Sequence, residues 1–462
     1  MILPLLLGLL GLFGCTPKMP ERPNILLITL DTTRADHMGM YGYFRDTTPV
    51  LDRLAANALL FDNFVAPMAT TLPTHTSLFT GTYPLEHGVR ANVIHGGKRF
   101  KASPSLRSFT SFLQANGYQT GAFVSATPLK QGTGIEAGFD HFNEPMTVHR
   151  PAARTNQHAY KWLKKHSKKG PMFVWMHYFD PHGPFAPPED FADTYESDDE
   201  LRNWLKERGF GRRVKRPTGQ VVKPMRSANL YDAEIRFMDR QIGVLLKRAD
   251  NQGWLDKTII IVMGDHGEGL GQHGFAGHGD IWHEQLHAPF FIYSPWHKGG
   301  RVREAVSAPD VFPTLLGLVD LPGTQGFLEQ ATGRDALREP PYPIFSQTSD
   351  RQVDYTGNNR VGITVGNWRY MRNADGGEQL FHLETDPHEQ WNLVLTHPLQ
   401  LLLLRRWTEE AGAALAKRGD ELGRGEVIAV DEETLRALSE LGYVDGEPAP
   451  VPEGDIEGGK EE

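Results

Sequence analysis

The sequence predicts an α/β fold, in which helices cover both faces of a large, mostly parallel sheet and a smaller C-terminal domain adds antiparallel strands and a helix. Short apolar runs alternate with amphipathic segments over most of the chain, as they do where parallel strands are joined by helices. Three of these runs end in polar residues of the kind that bind ligands, and open α/β sheets place their sites at the carboxyl ends of their strands. After about residue 340 the segments become short and alternate in polarity, which favours antiparallel strands.

The strands of the large sheet are predicted from apolar runs without internal alternation, which is the pattern of strands buried on both faces. They are Asn24–Leu30, Thr120–Ser125, Met172–His177, Thr258–Met263 and Phe290–Ser294. Helices are predicted where apolar residues recur at helical spacing, or where a proline and a glycine mark the two ends. They are Pro49–Ala58, Pro73–Thr80, Ser105–Asn116, Arg154–His166 and Tyr231–Arg248.

The smaller domain is predicted over residues 341–444. Its strands are expected at 360–365, 368–371 and 380–383, and a helix at 398–417. The large domain then covers residues 23–340 of the 462-residue chain, which is long enough for two hydrophobic cores. Residues 445–462 hold seven acidic side chains and one lysine among many prolines and glycines, and this composition predicts disorder.

The charge distribution argues against one class of partner. The net charge is −9, and −6 of it lies in the acidic tail. The rest of the chain is close to neutral and has no basic field, so nucleic acid is not expected as a partner.

The first 15 residues predict export and attachment to a membrane. Residues 1–14 are almost wholly apolar, too short to span a bilayer, and suited to a cleaved signal peptide. The segment Leu12-Phe13-Gly14-Cys15 resembles the bacterial lipoprotein box, in which the cysteine is lipidated and becomes the new N-terminus. Residues 15–22 then form a linker. No Lys or Arg precedes Cys15, so an uncleaved anchor or a misplaced start codon is the alternative.

Acidic residues and histidines at the predicted strand ends indicate a metal site. Asp31 follows one strand, and Asp265 and His266 follow another, in a glycine-rich segment that lets the backbone bend. Two carboxylates and an imidazole form a credible set for a divalent ion. Cys15 is the only cysteine, which excludes a cysteine-based zinc site within the chain. Taken alone, Asp31 could instead cap a turn.

Six segments resemble, in the same order, the motifs of the sulfatase family within the alkaline phosphatase superfamily. They are Asp31–Gly42 (DTTRADHMGMYG), Thr71–Gly81 (TLPTHTSLFTG), Asp180–Pro184 (DPHGP), Gly264–Gly274 (GDHGEGLGQHG), Gly277–Gly279 (GHG) and Leu380–Leu393 (LFHLETDPHEQWNL). The resemblance runs from about residue 24 to about residue 444. It implies a mixed sheet between helices, a small C-terminal sheet-and-helix domain, and a metal-dependent hydrolase of sulfate or phosphate esters.

The resemblance also implies catalytic roles for four residues. Thr71 falls where the family has its nucleophile, two residues before a proline, although a threonine there could also be a helix cap. His182 and His278 match positions that touch the transferred group or the leaving oxygen, and either imidazole could be the general acid. His75 takes a position that is arginine in formylglycine sulfatases.

The implied metal ligands are Asp31, Thr71, Asp265 and His266. His266 replaces the asparagine that is usual in the family, and an imidazole favours Zn²⁺ or Mn²⁺, with Ca²⁺ as the alternative. Thr71 replaces the cysteine or serine that is converted to formylglycine, so the nucleophile is expected to be a threonine hydroxyl. This set resembles threonine-dependent phosphoester enzymes such as the phosphoethanolamine transferases.

Other polar residues near these motifs are predicted to be structural. His273, His283 and His287 are expected to be structural or surface histidines. Arg34 and Asp36 are expected to form an ion pair beside the site.

The sequence therefore predicts a hydrolase of sulfate or phosphate esters at the cell envelope. Its expected substrate is a small anionic ester or a glycan or lipid headgroup, and it is expected to be lipid-anchored through Cys15 at the periplasmic face. Thr16 favours the outer membrane over the inner one. Three alternatives are a phosphoethanolamine-type transferase, a sulfuric ester hydrolase that works without formylglycine, and a catalytically inactive scaffold lipoprotein. The inactive form is disfavoured because competent side chains fill the nucleophile and metal positions.

Overall fold

The computed structural model describes residues 18–94, 97–210, 214–215, 221–350, 359–423, 425–441 and 443. The predicted signal segment 1–14, Cys15 and the acidic tail 445–462 lie outside the described residues.

The strands of the described residues are, in chain order, β1 (Asn24–Leu30), β2 (Leu59–Phe64), β3 (Lys98–Lys101), β4 (Gln119–Phe123), β5 (His141–Asn143), β6 (Met172–Tyr178), β7 (Val214–Lys215), β8 (Val221–Val222), β9 (Thr258–Gly264), β10 (Gly269–Leu270), β11 (Ala276–Gly277), β12 (Phe290–Tyr293), β13 (Gly300–Val306), β14 (Ile344–Gln347), β15 (Arg360–Val365), β16 (Trp368–Asn373), β17 (Glu378–His382) and β18 (Glu426–Ala429).

The α-helices of the same residues are α1 (Pro49–Ala55), α2 (Thr71–Thr80), α3 (Pro84–His87), α4 (Phe109–Ala115), α5 (Ala152–His166), α6 (Glu189–Ala192), α7 (Asp199–Glu207), α8 (Pro224–Asp250), α9 (His283–Leu286), α10 (Val311–Leu318), α11 (Gln325–Leu328), α12 (Pro398–Leu422) and α13 (Glu432–Glu440). Within the described part of the chain, none of the helices combines the length and the apolar character that crossing a membrane requires.

An eight-stranded sheet forms the centre of the molecule, in the order β13-β2-β12-β9-β1-β6-β4-β5. Strand β12 is antiparallel to both of its neighbours, and the other strands of the sheet run parallel with one another. The prediction of a mixed, mostly parallel sheet is therefore confirmed. Strands β2 and β13 were not predicted, because each mixes polar and apolar residues: only part of β2 is buried, and much of β13 is exposed.

The centre of the sheet fixes where the site lies. Strand β1 is paired with β6 on one side and with β9 on the other, so that Leu30 lies opposite both Tyr178 and Gly264. The next residues, Asp31 and Asp265, therefore leave the sheet side by side at its carboxyl edge. This is the edge at which open α/β sheets bind their ligands.

Alternate residues of the central strands fill two separate cores. Ile25 and Leu27 of β1 pack in the core that includes residues of α2, α4 and α10. Leu26 and Ile28 pack in the core that includes residues of α1, α5 and α8. Because a strand turns successive side chains to opposite faces, an unbroken apolar run requires a covering layer on each side. Each such Ile or Leu contributes about 1.5–3 kcal/mol by its burial.

Several helix ends differ from those expected. Helix α4 begins at Phe109 rather than Ser105, because the Ser108 hydroxyl accepts a hydrogen bond from the Ser111 amide (3.0 Å) and so caps the helix. Helix α2 begins at Thr71, two residues earlier than expected. The hydrophobic stripe of 231–248 lies inside the longer α8.

The C-terminal part forms a small antiparallel sheet in the order β14-β15-β16-β17, against which α12 packs through Leu401 and Leu404. The predicted small sheet-and-helix unit is confirmed. After α12 the chain returns to the N-terminal part of the molecule. There β18 pairs with β3 in a separate two-stranded antiparallel sheet. Helix α13 and Tyr443 follow, and Leu438 and Tyr443 pack on Val93.

Candidate active site

Two carboxylates and one imidazole meet at the carboxyl edge of the sheet. Single ligand-type atoms of Asp31, Asp265 and His266 all lie within 4.8 Å of one another, and the three residues are buried. Asp31 follows β1, and Asp265 and His266 follow β9. The structure therefore brings together the three predicted residues that come from two strands.

Each carboxylate has one oxygen in a hydrogen bond and one without. Oδ1 of Asp265 accepts from the backbone amides of Thr32 (3.1 Å) and His266 (2.8 Å), and its Oδ2 has no hydrogen-bond partner. Oδ2 of Asp31 lies 3.1 Å from Nε2 of His177, and its Oδ1 has no partner. A buried oxygen without a partner costs about 1–3 kcal/mol or more, so this arrangement is typical of atoms that receive a ligand.

The imidazole of His266 presents a lone pair to the same place. Its Nδ1 lies 2.9 Å from the carbonyl oxygen of Gly267 and donates to it, which leaves Nε2 as the acceptor of the neutral ring. This Nε2 has no hydrogen-bond partner and lies 3.6 Å from Oδ2 of Asp265.

Thr71 is the first residue of α2 and its side chain is fully buried. Its Oγ1 makes no hydrogen bond of regular geometry, but it lies close enough to the Asp31 carboxylate to lower the pKa of that group. The adjacent amide of Leu72 donates to Oδ1 of Asn92 (2.8 Å), which holds the first turn of the helix in place. The start of a helix carries a partial positive charge, which favours an anion beside Thr71.

His75 contacts the backbone of the predicted nucleophile. Its Nδ1 lies 2.8 Å from the carbonyl oxygen of Thr71 and donates to it, and its Nε2 lies 3.0 Å from the hydroxyl of Thr29. That hydroxyl accepts from Nε1 of Trp175 (2.9 Å) and so gives its own proton to His75. Both nitrogens of His75 are therefore occupied, and the ring acts as a brace under Thr71.

His182 and His278 lie on two loops that meet at the site. Their Nε2 atoms are 3.2 Å apart. Nδ1 of His182 donates to the Gly183 carbonyl (2.6 Å) and Nδ1 of His278 donates to the Ala69 carbonyl (3.0 Å). In the neutral rings both Nε2 atoms are then acceptors. The His278 ring also lies 4.6 Å, between centroids, from the ring of His266.

Burial dominates the electrostatics of these groups. It raises the pKa of Asp31 well above its usual range and, together with the nearby charge of Asp31, raises the pKa of Asp265 to about 8. Burial also lowers the pKa of His266 to about 4 and that of His75 to about 3. Adjacent buried carboxylates repel one another, and a divalent cation between them removes that repulsion.

The residues fit a divalent ion. Each of the four predicted ligands has one buried atom without a hydrogen bond of regular geometry: Oδ1 of Asp31, Oγ1 of Thr71, Oδ2 of Asp265 and Nε2 of His266. Three oxygens and one imidazole nitrogen suit Zn²⁺ or Mn²⁺. The hydroxyl of Thr32, which also has no partner, is a further candidate. Thr32 has φ = 48°, a strained value for a β-branched residue of the kind found at functional sites.

A second cluster of ligand-type residues is explained by hydrogen bonding. His75, His177 and Asp265 also lie within 4.8 Å of one another. The Ser125 amide donates to Nδ1 of His177 (3.3 Å), so the proton of that ring is on Nε2, which donates to Asp31. A protonated nitrogen has no lone pair for an ion. His177 therefore orients the predicted metal ligand Asp31 and does not itself offer a lone pair to an ion.

Of the residues expected to be structural, His283 stacks on His287 and its buried Nδ1 makes no hydrogen bond, while the others lie in polar contacts. Arg34 and Asp36 form a two-pronged ion pair with both N···O distances at 2.8 Å. His273 contacts Glu284 (3.1 Å), and Nε2 of His287 contacts the Asp62 carbonyl (3.0 Å).

Comparison with known proteins decides the family. The sulfatase family model matches residues 23–321. The chain belongs to the sulfatase family. It is an ester hydrolase of that family, whose enzymes depend on a metal ion. It is 26% identical over 482 residues to an ulvan-active sulfatase of Formosa agariphila, covering 96% of this chain and 89% of that protein. It is 24% identical over 439 residues to an arylsulfatase of Clostridium perfringens, covering 81% of this chain and 90% of that protein.

Solved structures share this fold. A sulfatase-family protein of Bacteroides fragilis aligns with a TM-score of 0.73 at 18% identity, over 88% of this chain and 99% of that one. The phosphonate monoester hydrolase of Agrobacterium radiobacter aligns with a TM-score of 0.66 at 20% identity, over 86% and 96% of the two chains. A third protein, solved with its substrate D-glucosamine-2-N,6-O-disulfate, aligns with a TM-score of 0.67 at 18% identity, over 87% and 98%.

The structure adds two residues that the sequence did not indicate. His177 is the penultimate residue of the apolar strand β6 and contacts Asp31, a role that its place next to the strand end could have suggested. Tyr443 approaches His182 and His278 from the far C-terminal end of the chain. No local pattern signals this contact, because it depends on where the last helix packs.

Proposed function

We propose that this sulfatase-family enzyme hydrolyses anionic sulfate or phosphate monoesters through a covalent ester on Thr71. One observation carries the proposal: Oγ1 of Thr71 is buried at the start of α2 next to the carboxylate of Asp31, and ligand-type atoms of Asp31, Asp265 and His266 lie within 4.8 Å of one another. A buried hydroxyl in that setting is suited to attack an anionic centre whose charge is neutralised nearby.

A divalent ion held by Asp31, Thr71, Asp265 and His266 would neutralise charge on the substrate oxygens and acidify the Thr71 hydroxyl. Oγ1 of Thr71 forms a bond to sulfur or phosphorus while the bond to the alcohol breaks, and the Thr71 proton passes to Nε2 of His182 or His278, which is an acceptor in the neutral ring. The imidazolium so formed gives that proton to the leaving alcohol oxygen. Water then cleaves the threonine ester, Thr71 regains its proton, and sulfate or phosphate is released.

Two arguments bear on whether the transferred group is sulfate or phosphate, and they point in opposite directions. The ulvan-active sulfatase and the arylsulfatase among the relatives favour sulfate. Threonine favours phosphate, because a threonine ester has no adjacent hydroxyl to expel the anion, as formylglycine has, and must be cleared by water. The phosphonate monoester hydrolase with the same fold shows that the fold also serves phosphorus chemistry. Glycan esters are the favoured sulfated substrates, since a structural neighbour holds a glucosamine disulfate.

Substitution of Thr71 tests the mechanism. Metal-supplemented protein is assayed on aryl sulfates, aryl phosphates and phosphodiesters. Thr71→Val keeps the β-branched shape but removes the hydroxyl, and kcat is expected to fall by about 10³-fold or more. Thr76→Val is the matched control, because the Thr76 hydroxyl bonds only to the Leu72 carbonyl of the same helix (2.8 Å). Full activity in Thr71→Val, with no adduct on Thr71 by accurate-mass peptide analysis, contradicts the mechanism.

We also propose that the enzyme is lipid-anchored through Cys15 at the periplasmic face of the cell envelope, with the outer membrane favoured. The support is the lipoprotein-like segment that ends at Cys15. Processing is expected to be blocked by globomycin, and a Cys15→Ala chain is expected to lose fatty-acid label. A Cys15→Ala chain that still carries the label would refute the anchor.

A further inference from the structure

Three polar side-chain atoms from distant parts of the chain meet beside the metal ligands. The hydroxyl of Tyr443 lies 3.0 Å from Nε2 of His182 and 3.3 Å from Nε2 of His278, and these two nitrogens are 3.2 Å apart. A single oxygen atom placed above a triangle of this size is within reach of all three atoms. It can accept from the phenol, and from either imidazole once that ring is protonated at Nε2. The Thr71 mechanism gives roles to the two histidines but not to the tyrosine.

Tyr443 is brought to this place by a C-terminal arm, which we define as the described residues of 425–443. Strand β18 attaches the arm by pairing with β3. Helix α13 is capped by Asp431, whose carboxylate accepts from the Thr434 amide (2.8 Å). The Tyr443 amide then bonds to the Leu438 carbonyl (2.8 Å), which closes the chain against the end of the helix. Tyr443 is 7% exposed, so the arm holds its side chain inside the protein.

The phenol is a suitable donor. Burial raises the pKa of Tyr443 well above its usual range, and a hydrogen bond with Asn92 offsets only part of that rise, so its hydroxyl keeps its proton at neutral pH. The phenol also lies near the predicted metal ligands, because the His278 ring that it contacts is 4.6 Å, between centroids, from the ring of His266. An uncharged O–H that is already desolvated makes a strong hydrogen bond to an anionic oxygen.

We propose that Tyr443 is a substrate-contacting residue, whose hydroxyl donates a hydrogen bond to an oxygen of the sulfuryl or phosphoryl group bound between His182 and His278. This inference rests on the proposed function, since it requires an anionic ester at the site. The C-terminal arm is thereby part of the active site and not only of the scaffold.

Removal of the hydroxyl tests the contact. Tyr443→Phe keeps the ring that packs on Val93 and Leu438 and removes only the donor. Binding of inorganic sulfate and inorganic phosphate to the metal-loaded full chain is measured by calorimetry, and kcat/KM on the best ester is measured in parallel. Loss of a hydrogen bond to a charged group predicts weaker anion binding and lower kcat/KM, each by about 10- to 100-fold. The control is Glu433→Gln, at an exposed position on α13 of the same arm. It is expected to change neither anion binding nor kcat/KM.

The outcomes separate this inference from the proposed function. Anion binding requires no turnover, so a Thr71→Val chain is expected to show the same weakening when Tyr443→Phe is added. If the wild type hydrolyses no ester but Tyr443→Phe still weakens anion binding, the proposed function fails and the contact stands. Unchanged anion binding in Tyr443→Phe would overturn the contact. Tighter binding or faster turnover in Tyr443→Phe would also overturn it, because the tyrosine would then block the site.

Discussion

Each of the two carboxylates in this site uses one oxygen to hold its orientation and leaves the other oxygen available to a ligand. Asp31 uses Oδ2 for His177 and leaves Oδ1 free, and Asp265 uses Oδ1 for two backbone amides and leaves Oδ2 free. Such outer partners fix the orientation of a ligand before the ion binds. The properties of the site therefore depend on residues that touch neither metal nor substrate.

His177→Phe is expected to weaken metal binding without removing a ligand. The phenyl ring keeps the volume but leaves Oδ2 of Asp31 and the Ser125 amide without partners, and loss of an outer partner costs about 10- to 100-fold in metal affinity. The measurement is a calorimetric titration of chelator-treated protein with Zn²⁺ and Mn²⁺. His141→Phe, a ring beside Phe123 and Trp162 at the far edge of the sheet, should bind metal normally. Equal affinities in wild type and His177→Phe would rule out the orienting role.

His273 is expected to stabilise the fold in a pH-dependent way. Burial lowers its pKa, but the charges of Glu284 and Glu389 and the hydrogen bonds to both residues together outweigh burial and raise the pKa to about 9. Because the folded-state pKa lies above the unfolded value of about 6.5, the charged pair stabilises fully below pH 6.5. This stabilisation is lost as the pH rises through 9.

The difference in thermal midpoint between wild type and His273→Gln should therefore be constant below about pH 6.5 and shrink towards pH 9.5. Differential scanning calorimetry at a series of pH values measures it. In a Glu284→Gln background the pH dependence of the difference should become much smaller, because only Glu389 then raises the pKa of His273. A difference that grows with pH would contradict the raised pKa.

At the scale of elements, the arm is held by a few identifiable interactions. Asp431→Ala removes the cap of α13 and should destabilise this helix by about 1 kcal/mol. Hydrogen exchange of the α13 amides should then become about 5-fold faster, while exchange in α2 stays the same. The matched control is Asp198→Ala, which removes the equivalent cap of α7 through the Leu201 amide (2.7 Å) and should loosen only that helix. Unchanged exchange in α13 would show that β18 and Leu438 alone hold the arm.

The elements that the sequence predicted well are those whose burial is uniform. Strands β1, β6 and β9 are buried along their whole length, so their apolar runs were clear and the ligands at their ends could be located. Strands β2, β13 and β18 are partly exposed, and their mixed composition gave no signal. The family motifs located Thr71, His182 and His278. Tyr443 could not be located, because its place follows from the packing of α13 and not from its neighbours in the chain.

At the scale of the whole molecule, the site joins elements that are far apart in sequence. The predicted metal ligands leave adjacent parallel strands of the central sheet, the proposed nucleophile Thr71 begins a helix, and the arm that follows the small sheet brings Tyr443 to His182 and His278. Adjacent buried carboxylates of like charge at the centre of such an assembly oppose its folding unless a cation or protons neutralise them.

Metal loading is accordingly expected to stabilise the whole fold. An ion present at about 100 times its dissociation constant stabilises the native state by about 2.7 kcal/mol, provided that the unfolded chain does not bind it. Protein treated with a chelator should therefore unfold at a midpoint several degrees lower than protein resupplied with Zn²⁺ or Mn²⁺. Because His266 gives the site an imidazole nitrogen, Ca²⁺, which prefers oxygen ligands, should restore less of the shift. An Asp265→Asn, His266→Asn double variant is the control, and its midpoint should hardly respond to Zn²⁺ or Mn²⁺. If none of the three ions shifts the wild-type midpoint in calorimetry, the buried oxygens of Asp31 and Asp265 do not form a metal site.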